Sequence, residues 1–126
     1  MPDERRLRIL LVDDEPDILL LLQAMLSADA WEIVGKAGSG EDAARIAETI
    51  QPDVAVVDYM MPGMSGLDLA GRLKELHPNC YILLFSAYSM AEESHAHPAV
   101  DGFLSKTDVG TIGDVLSRIA KERKLT

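Results

Sequence analysis

Asp13, Asp14, Glu15, Asp58, Ser86 and Lys106 each stand at or just beyond the end of an apolar run. The first three follow Arg8-Ile9-Leu10-Leu11-Val12, and Asp58 follows Val54-Ala55-Val56-Val57. Ser86 follows Tyr81-Ile82-Leu83-Leu84-Phe85, and Lys106 comes shortly after Gly102-Phe103-Leu104. If those runs are neighbouring strands, acids, a hydroxyl and an ammonium converge at one end of a sheet. Crowded carboxylates oppose one another's ionisation unless a cation is near. A hard divalent cation relieves that repulsion, and Mg²⁺ characteristically takes one or two carboxylates plus water and phosphate oxygens. The Lys106 ammonium then offers a compact charge to an incoming phosphoryl group.

Each residue also has an ordinary explanation. Asp13 and Asp14 would suit the positive end of a helix on their own. Ser86 could be a satisfied core hydroxyl, Lys106 a surface cation and Phe103 a core aromatic. Pro62-Gly63-Met64-Ser65-Gly66 is turn chemistry on any reading. Asp58 is harder to dismiss, because an isolated carboxylate at the end of an apolar strand is expensive to bury. Joint placement at strand ends is what favours a site.

The elements that must position these residues follow from hydrophobic period. The short apolar runs read as strands covered on both faces, with Glu32–Ala37 suited to a sheet edge and Gly102–Leu104 a short last strand. Helical stripes lie between them: Ile18, Leu22, Met25 and Leu26; Ala43, Ile46, Ala47 and Ile50; Leu69, Leu73 and Leu76; Ile112, Val115, Leu116 and Ile119. Pro16 fits a first helical turn, and Ser39 fits the cap of the second helix. His77, before Pro78, should close the third. Ser89 to Val100 is expected to be a further helix, weak in apolar residues and cut short by Pro98. Alternating strands and helices imply a parallel sheet with right-handed crossovers. Ligands of such sheets sit beyond the carboxyl ends of the strands, where strand order reverses.

Composition narrows the function classes. The chain has 126 residues, 48% hydrophobic and 26% charged, which suits a single domain spanning 1–126. A net charge of −9 argues against direct nucleic-acid binding, which needs clustered cations. The lone Cys80 excludes a disulfide framework, and no apolar run is long enough for a membrane span, so a cytoplasmic location without membrane contact is expected. His95 and His97, two apart, cannot share a helix face as a ligand pair. Met60, Met61 and Met64 read as packing around the turn.

Leu11-Val12-Asp13-Asp14-Glu15, Asp58 through Gly66, Phe85-Ser86-Ala87 and Gly102-Phe103-Leu104-Ser105-Lys106 together resemble the receiver domains of bacterial two-component response regulators. The resemblance runs from about Leu7 to about Ile119. It implies a doubly wound, flavodoxin-like α/β fold with a five-stranded parallel sheet in the order 2-1-3-4-5 and helices on both faces. It implies that Asp58 is the phosphoacceptor, and that Asp13, Asp14, Asp58 and the Met60 backbone carbonyl hold Mg²⁺. Ser86 and Lys106 would contact phosphoryl oxygens, and Ser86 and Phe103 would form a conformational switch. The implied partners are a sensor histidine kinase or phosphotransfer protein, then either a phosphorylation-dependent homodimer or a downstream output. Such a domain is no turnover enzyme; it catalyses only its own phosphorylation and dephosphorylation.

Some positions depart from the family pattern. Thr107 replaces the proline that commonly follows the lysine, so a trans bond is expected there. Ser86 replaces the commoner threonine, and Phe103 lacks the tyrosine hydroxyl. Positions flanking the family's water path, two beyond Asp58 and Ser86, are here Met60 and Tyr88. Both are bulky and neither orients water well, so a long-lived phosphoryl form is expected. The alternative functions are a receiver-like interaction module that is never phosphorylated, an aspartyl phosphatase and a flavodoxin-like cofactor carrier. The phosphatase would need a second acid where Met60 stands, and Asp13-Asp14-Glu15 would repel a cofactor phosphate.

Overall fold

A computed structural model describes residues 6–27, 31–87 and 97–123. Five parallel strands, β1 (Leu7–Val12), β2 (Trp31–Ala37), β3 (Val54–Asp58), β4 (Tyr81–Ser86) and β5 (Gly102–Ser105), form one sheet in the order β2-β1-β3-β4-β5. Helices α1 (Pro16–Met25), α2 (Gly40–Ala47), α3 (Gly66–Leu76) and α4 (Ile112–Glu122) cover its two faces, with a 3-10 helix at Lys106–Thr111 before α4. The doubly wound architecture and strand order are those expected from the sequence. Strand order reverses between β1 and β3, which opens a crevice beyond their carboxyl ends.

Strand side chains alternate between two separate cores. Leu10, Val12, Ala55, Val57 and Ile82 pack with Ala43 and Ala47 of α2 and Leu69 and Leu73 of α3. Leu7, Ile9, Leu11, Val54, Val56, Leu83 and Phe85 face the other way, against Leu22 of α1 and Leu116 and Ile119 of α4. Burying each Val, Leu, Ile or Phe side chain among them contributes about 1.5–3 kcal/mol. Because both faces are covered, the central strands carry no polar alternation; apart from Arg8 near the start of β1, and Asp58 and Ser86 at the ends of β3 and β4, their residues are apolar or aromatic. β2, at the edge, is only partly buried, as its sequence suggests.

Local chemistry sets the ends of the elements. Pro16 opens α1, where its missing N–H costs nothing. Ser39 Oγ accepts from Asp42 N at 3.1 Å and caps α2. Ser65 Oγ does the same for α3, accepting from Asp68 N at 3.2 Å. His77 caps the C-terminus of α3, and its Nε2 lies 2.7 Å from the Ala47 carbonyl oxygen at the end of α2.

Met25 departs from the expected α1 stripe. It is 37% exposed, whereas Leu22 and Leu26 are buried against the sheet, with Ile18 and Leu19 packed beside them. Most of the helix expected over Ser89–Val100 lies outside the described residues, as do Tyr88 and His95. Its last part, His97 to Val100, is a turn closed by Val100 N donating to the His97 carbonyl at 3.1 Å. There His97 Nδ1 accepts from Ala99 N at 3.2 Å.

At the amino ends of the strands, polar side chains lock the register. Asp53 Oδ2 accepts from Arg8 N at 2.8 Å, joining the approach to β3 with β1. Lys74 Nζ reaches Asp101 Oδ2 at 2.6 Å and donates to the Cys80 carbonyl at 2.8 Å. Asp101 Oδ2 also accepts from Ile82 N at 2.8 Å, so a single carboxylate ties α3, β4 and the entry to β5. Burial pushes the Cys80 thiol up to about 12, leaving it a packing residue with no thiolate character. With that end fixed, the other end of the sheet is left to carry chemistry.

Candidate functional site

Beyond the carboxyl ends of β1, β3, β4 and β5 lies a cavity of about 330 Å³, lined by Asp14, Glu15, Asp58, Met60, Ser86, Ala87 and Lys106. Asp13 lies beneath it, fully buried, and Asp58 and Ser86 are 4% and 1% exposed. The backbone explains this depth. Asp13 N still donates to the Ala37 carbonyl at 3.1 Å, so the β1–β2 ladder runs one residue past the strand. Tyr59 N donates to the Phe85 carbonyl at 3.1 Å and extends β3 in the same way. Each acid is therefore delivered by a strand that has not yet left the sheet.

The loop after Asp58 turns tightly. Gly63 takes the left-handed conformation, with φ of 79°. Gly66 N donates to the Tyr59 carbonyl at 2.9 Å, and a Cβ on Gly66 would stand 2.3 Å from the Asp58 carbonyl oxygen. Glycine is thus required where α3 starts, directly against the backbone of Asp58.

Lys106 is the counter-charge. Its Nζ lies 2.9 Å from Asp13 Oδ2, 3.4 Å from Asp58 Oδ1 and 3.4 Å from Glu15 Oε1. It also sits 5.6 Å from the centre of the Phe85 ring, within range of a cation–π attraction. The Lys106–Thr107 bond is trans. The Thr107 N–H, which a proline would lack, donates to Ser105 Oγ at 3.3 Å, and the two hydroxyls are 2.9 Å apart. This local turn starts the 3-10 helix and fixes the lysine's direction.

Burial, reinforced by the Asp13 charge and opposed by Lys106, pushes the Asp58 carboxyl up to about 7. For Lys106 burial disfavours the cation, yet the carboxylates of Asp13, Asp58 and Glu15 outweigh it and hold its pKa above the usual lysine value.

The residues present fit a hard divalent cation. Oxygens of Asp13, Asp14 and Asp58 all lie within 4.8 Å of one another. Asp13 Oδ2 is buried and off hydrogen-bond alignment with the nearby Lys106 ammonium. An under-satisfied buried carboxylate oxygen beside two more carboxylates is the donor set that Mg²⁺ binds. Met60, 59% exposed as a residue, borders the same cavity.

Of the residues singled out in the sequence, Asp13, Asp14, Asp58, Met60, Ser86 and Lys106 come together here. Phe103 does not reach the cavity lining; it is half-buried on β5, in register with Leu84. Two lining residues were not singled out for a role. Ala87 follows the last strand residue and carries no signal beyond its position. The sequence places Glu15 with Asp13 and Asp14 beyond β1 without a role of its own; in the fold it lines the cavity, and its side chain makes no cap bond to α1.

A sequence profile described as the response regulator receiver domain matches residues 9–115. The probable transcriptional regulatory protein TcrX of Mycobacterium tuberculosis is 33% identical over 117 residues, covering 93% of this chain and 50% of TcrX. The chain thus spans about half the length of TcrX and of several other curated relatives it matches. The receiver domain of AraT from Geobacillus stearothermophilus superposes with a TM-score of 0.83 at 28% identity, covering 95% of this chain and 97% of that one. TrrA from Thermotoga maritima, solved in complex with Mg²⁺-BeF, superposes with a TM-score of 0.80 at 32% identity, covering 90% and 98%. Strand order, the acid crevice with its lysine and the profile match agree: this chain belongs to the receiver domains of two-component response regulators.

Proposed function

We propose that the chain accepts a phosphoryl group on Asp58, in a Mg²⁺-dependent transfer from a sensor histidine kinase or phosphotransfer protein. The observation that carries this reading is a buried strand-end carboxylate facing a lysine ammonium at 3.4 Å, with two further acids in ligand range. Asp58 would supply the attacking oxygen, forming an aspartyl-phosphate. Lys106 and the Ser86 hydroxyl would receive phosphoryl oxygens from the other side of the cavity. Asp13, Asp14, Asp58 and the Met60 carbonyl would hold the cation. When bound, Mg²⁺ neutralises charge on the transferring group, whose loose transition state is stabilised mainly by positioning and electrostatics. The TrrA complex with Mg²⁺-BeF supports the same use of this crevice.

The domain acts as a stoichiometric acceptor and not as a turnover enzyme. Phosphorylation then changes the Ser86–Phe103 region and controls an output, through a homodimer or through a downstream domain or protein. Half-length coverage of transcriptional regulators favours an output in transcription, exerted by a segment other than this acidic one. A cytoplasmic setting fits, since among the described residues no helix is long and apolar enough to cross a membrane.

The test is labelling with a small phosphodonor and Mg²⁺, followed on phosphate-affinity gels. Wild type should gain one phosphoryl group and Asp58→Asn none. Equal labelling of both would remove Asp58 from the role, and no labelling of wild type would favour a pure interaction module.

A further inference from the structure

Glu15 carries the one acid of the β1 loop to which the proposed transfer gives no role. As the residue preceding α1 it could have capped that helix, but its side chain makes no cap hydrogen bond. The Asp13 carboxylate accepts the N–H of Glu15 itself, at 2.9 Å. Ile18 N and Leu19 N are served by the Glu15 carbonyl, at 3.1 and 3.3 Å. Relieved of capping, the Glu15 side chain crosses the cavity to Lys106, 91 residues away in sequence, with Oε1 3.4 Å from Nζ.

Lys106 thus has carboxylate neighbours of two kinds. Asp13 and Asp58 are buried and fixed, whereas the Glu15 side chain is 63% exposed at the rim. An exposed pair contributes little to folding. At the rim, however, Glu15 is a third carboxylate within reach of the same ammonium that incoming phosphoryl oxygens need, and it adds negative charge to the cavity lining.

We infer that Glu15 is a positioning residue that occupies Lys106 until transfer and selects against doubly charged phosphodonors. This inference rests on the phosphoacceptor reading of Asp58. In the step concerned, an Asp58 carboxylate oxygen forms the bond to phosphorus. With acetyl phosphate the phosphorus–oxygen bond to the acyl group breaks and acetate leaves with the electron pair. With phosphoramidate the phosphorus–nitrogen bond breaks and ammonia leaves, the nitrogen already carrying its proton. Near neutral pH acetyl phosphate is doubly negative, whereas phosphoramidate has an ammonium that offsets one charge.

The experiment measures labelling rate constants for wild type, Glu15→Gln and Glu48→Gln with both donors, in saturating Mg²⁺, at low and high salt. Glu48 is an exposed acid beyond the end of α2, so its variant removes the same net charge away from the cavity. Glu15→Gln should raise the acetyl phosphate rate about three- to tenfold, the scale of one or two surface charge pairs. The phosphoramidate gain should be smaller, Glu48→Gln should change neither, and about 1 M salt should erase the difference by shortening the screening length to about 3 Å. Equal gains for both donors, a gain that survives salt, or no gain would overturn the role of Glu15. Absence of Asp58 labelling in every variant would instead sink the phosphoacceptor reading itself.

Discussion

Removing the charge of Asp58 should stabilise the metal-free protein, and by an amount that grows with pH. The carboxyl is pushed from the ordinary 3.8 to about 7 in the fold, chiefly by burial and then by Asp13. Between those values the folded state holds a proton that the unfolded chain has released, so stability falls as pH rises. The contribution is intact below about pH 4 and lost once pH passes about 7. At 1.36 kcal/mol per unit, the gap of about three units amounts to roughly 4 kcal/mol. For a domain of this size that corresponds to a melting shift on the order of 10–15 °C. Asp58→Asn is neutral throughout and escapes this loss, although it also gives up the 3.4 Å contact with Lys106. Thermal melts in EDTA from pH 4 to pH 8.5 should show the variant drawing ahead of wild type, with a plateau above pH 7. Parallel melting curves across that range would refute the idea that Asp58 is held in a costly, crowded pocket.

Metal and loop geometry give further expectations. Asp14→Asn should raise metal-free stability and abolish the response to Mg²⁺; tenfold excess over Kd should stabilise wild type by about 1.4 kcal/mol, read as a melt shift of on the order of 4 °C. A variant that still responds fully would show that these acids do not form the site. Gly66→Ala must displace the Asp58 carbonyl or the start of α3, since its Cβ would stand 2.3 Å from that oxygen. It should cost about 1–3 kcal/mol in denaturant melts and slow labelling of Asp58; a neutral result would mean the loop is more yielding than its contacts indicate. Met60→Asn should shorten the lifetime of the phosphoryl form severalfold in a decay assay, by placing an amide where an exposed apolar chain now borders the cavity. Unchanged decay would show that water access is limited elsewhere.

Strand residues were legible because a sheet covered on both faces demands short apolar runs, and the acids, serine and lysine ended those runs. Helix starts were legible where a side chain does the capping, as Ser39 does, or where Pro16 fixes φ. Met25 was misplaced because a 3.6-residue period cannot tell which border of a wide apolar stripe turns to solvent. α1 shows this plainly, with Leu20 63% and Leu21 42% exposed. Side-chain clamps across distant elements, such as Lys74 with Asp101 and His77 with Ala47, leave no periodic trace. Neither does the reach of Glu15 to Lys106, made across 91 residues by a side chain that does not cap α1.

The alternation of strand side chains into two cores has a consequence for how this sequence can change. Among the described residues, the α2–α3 side and the α1–α4 side form two separate clusters with the strand backbones between them, whose positions the hydrogen-bonded ladders fix. Repacking on one side should therefore be nearly blind to the residues chosen on the other, and paired substitutions across the sheet should combine additively. A lineage could remodel the helix face that meets one partner while leaving the opposite face untouched. The sheet in between works as a firewall, and Asp58, at the rim of that wall, stands where both sides can be reached.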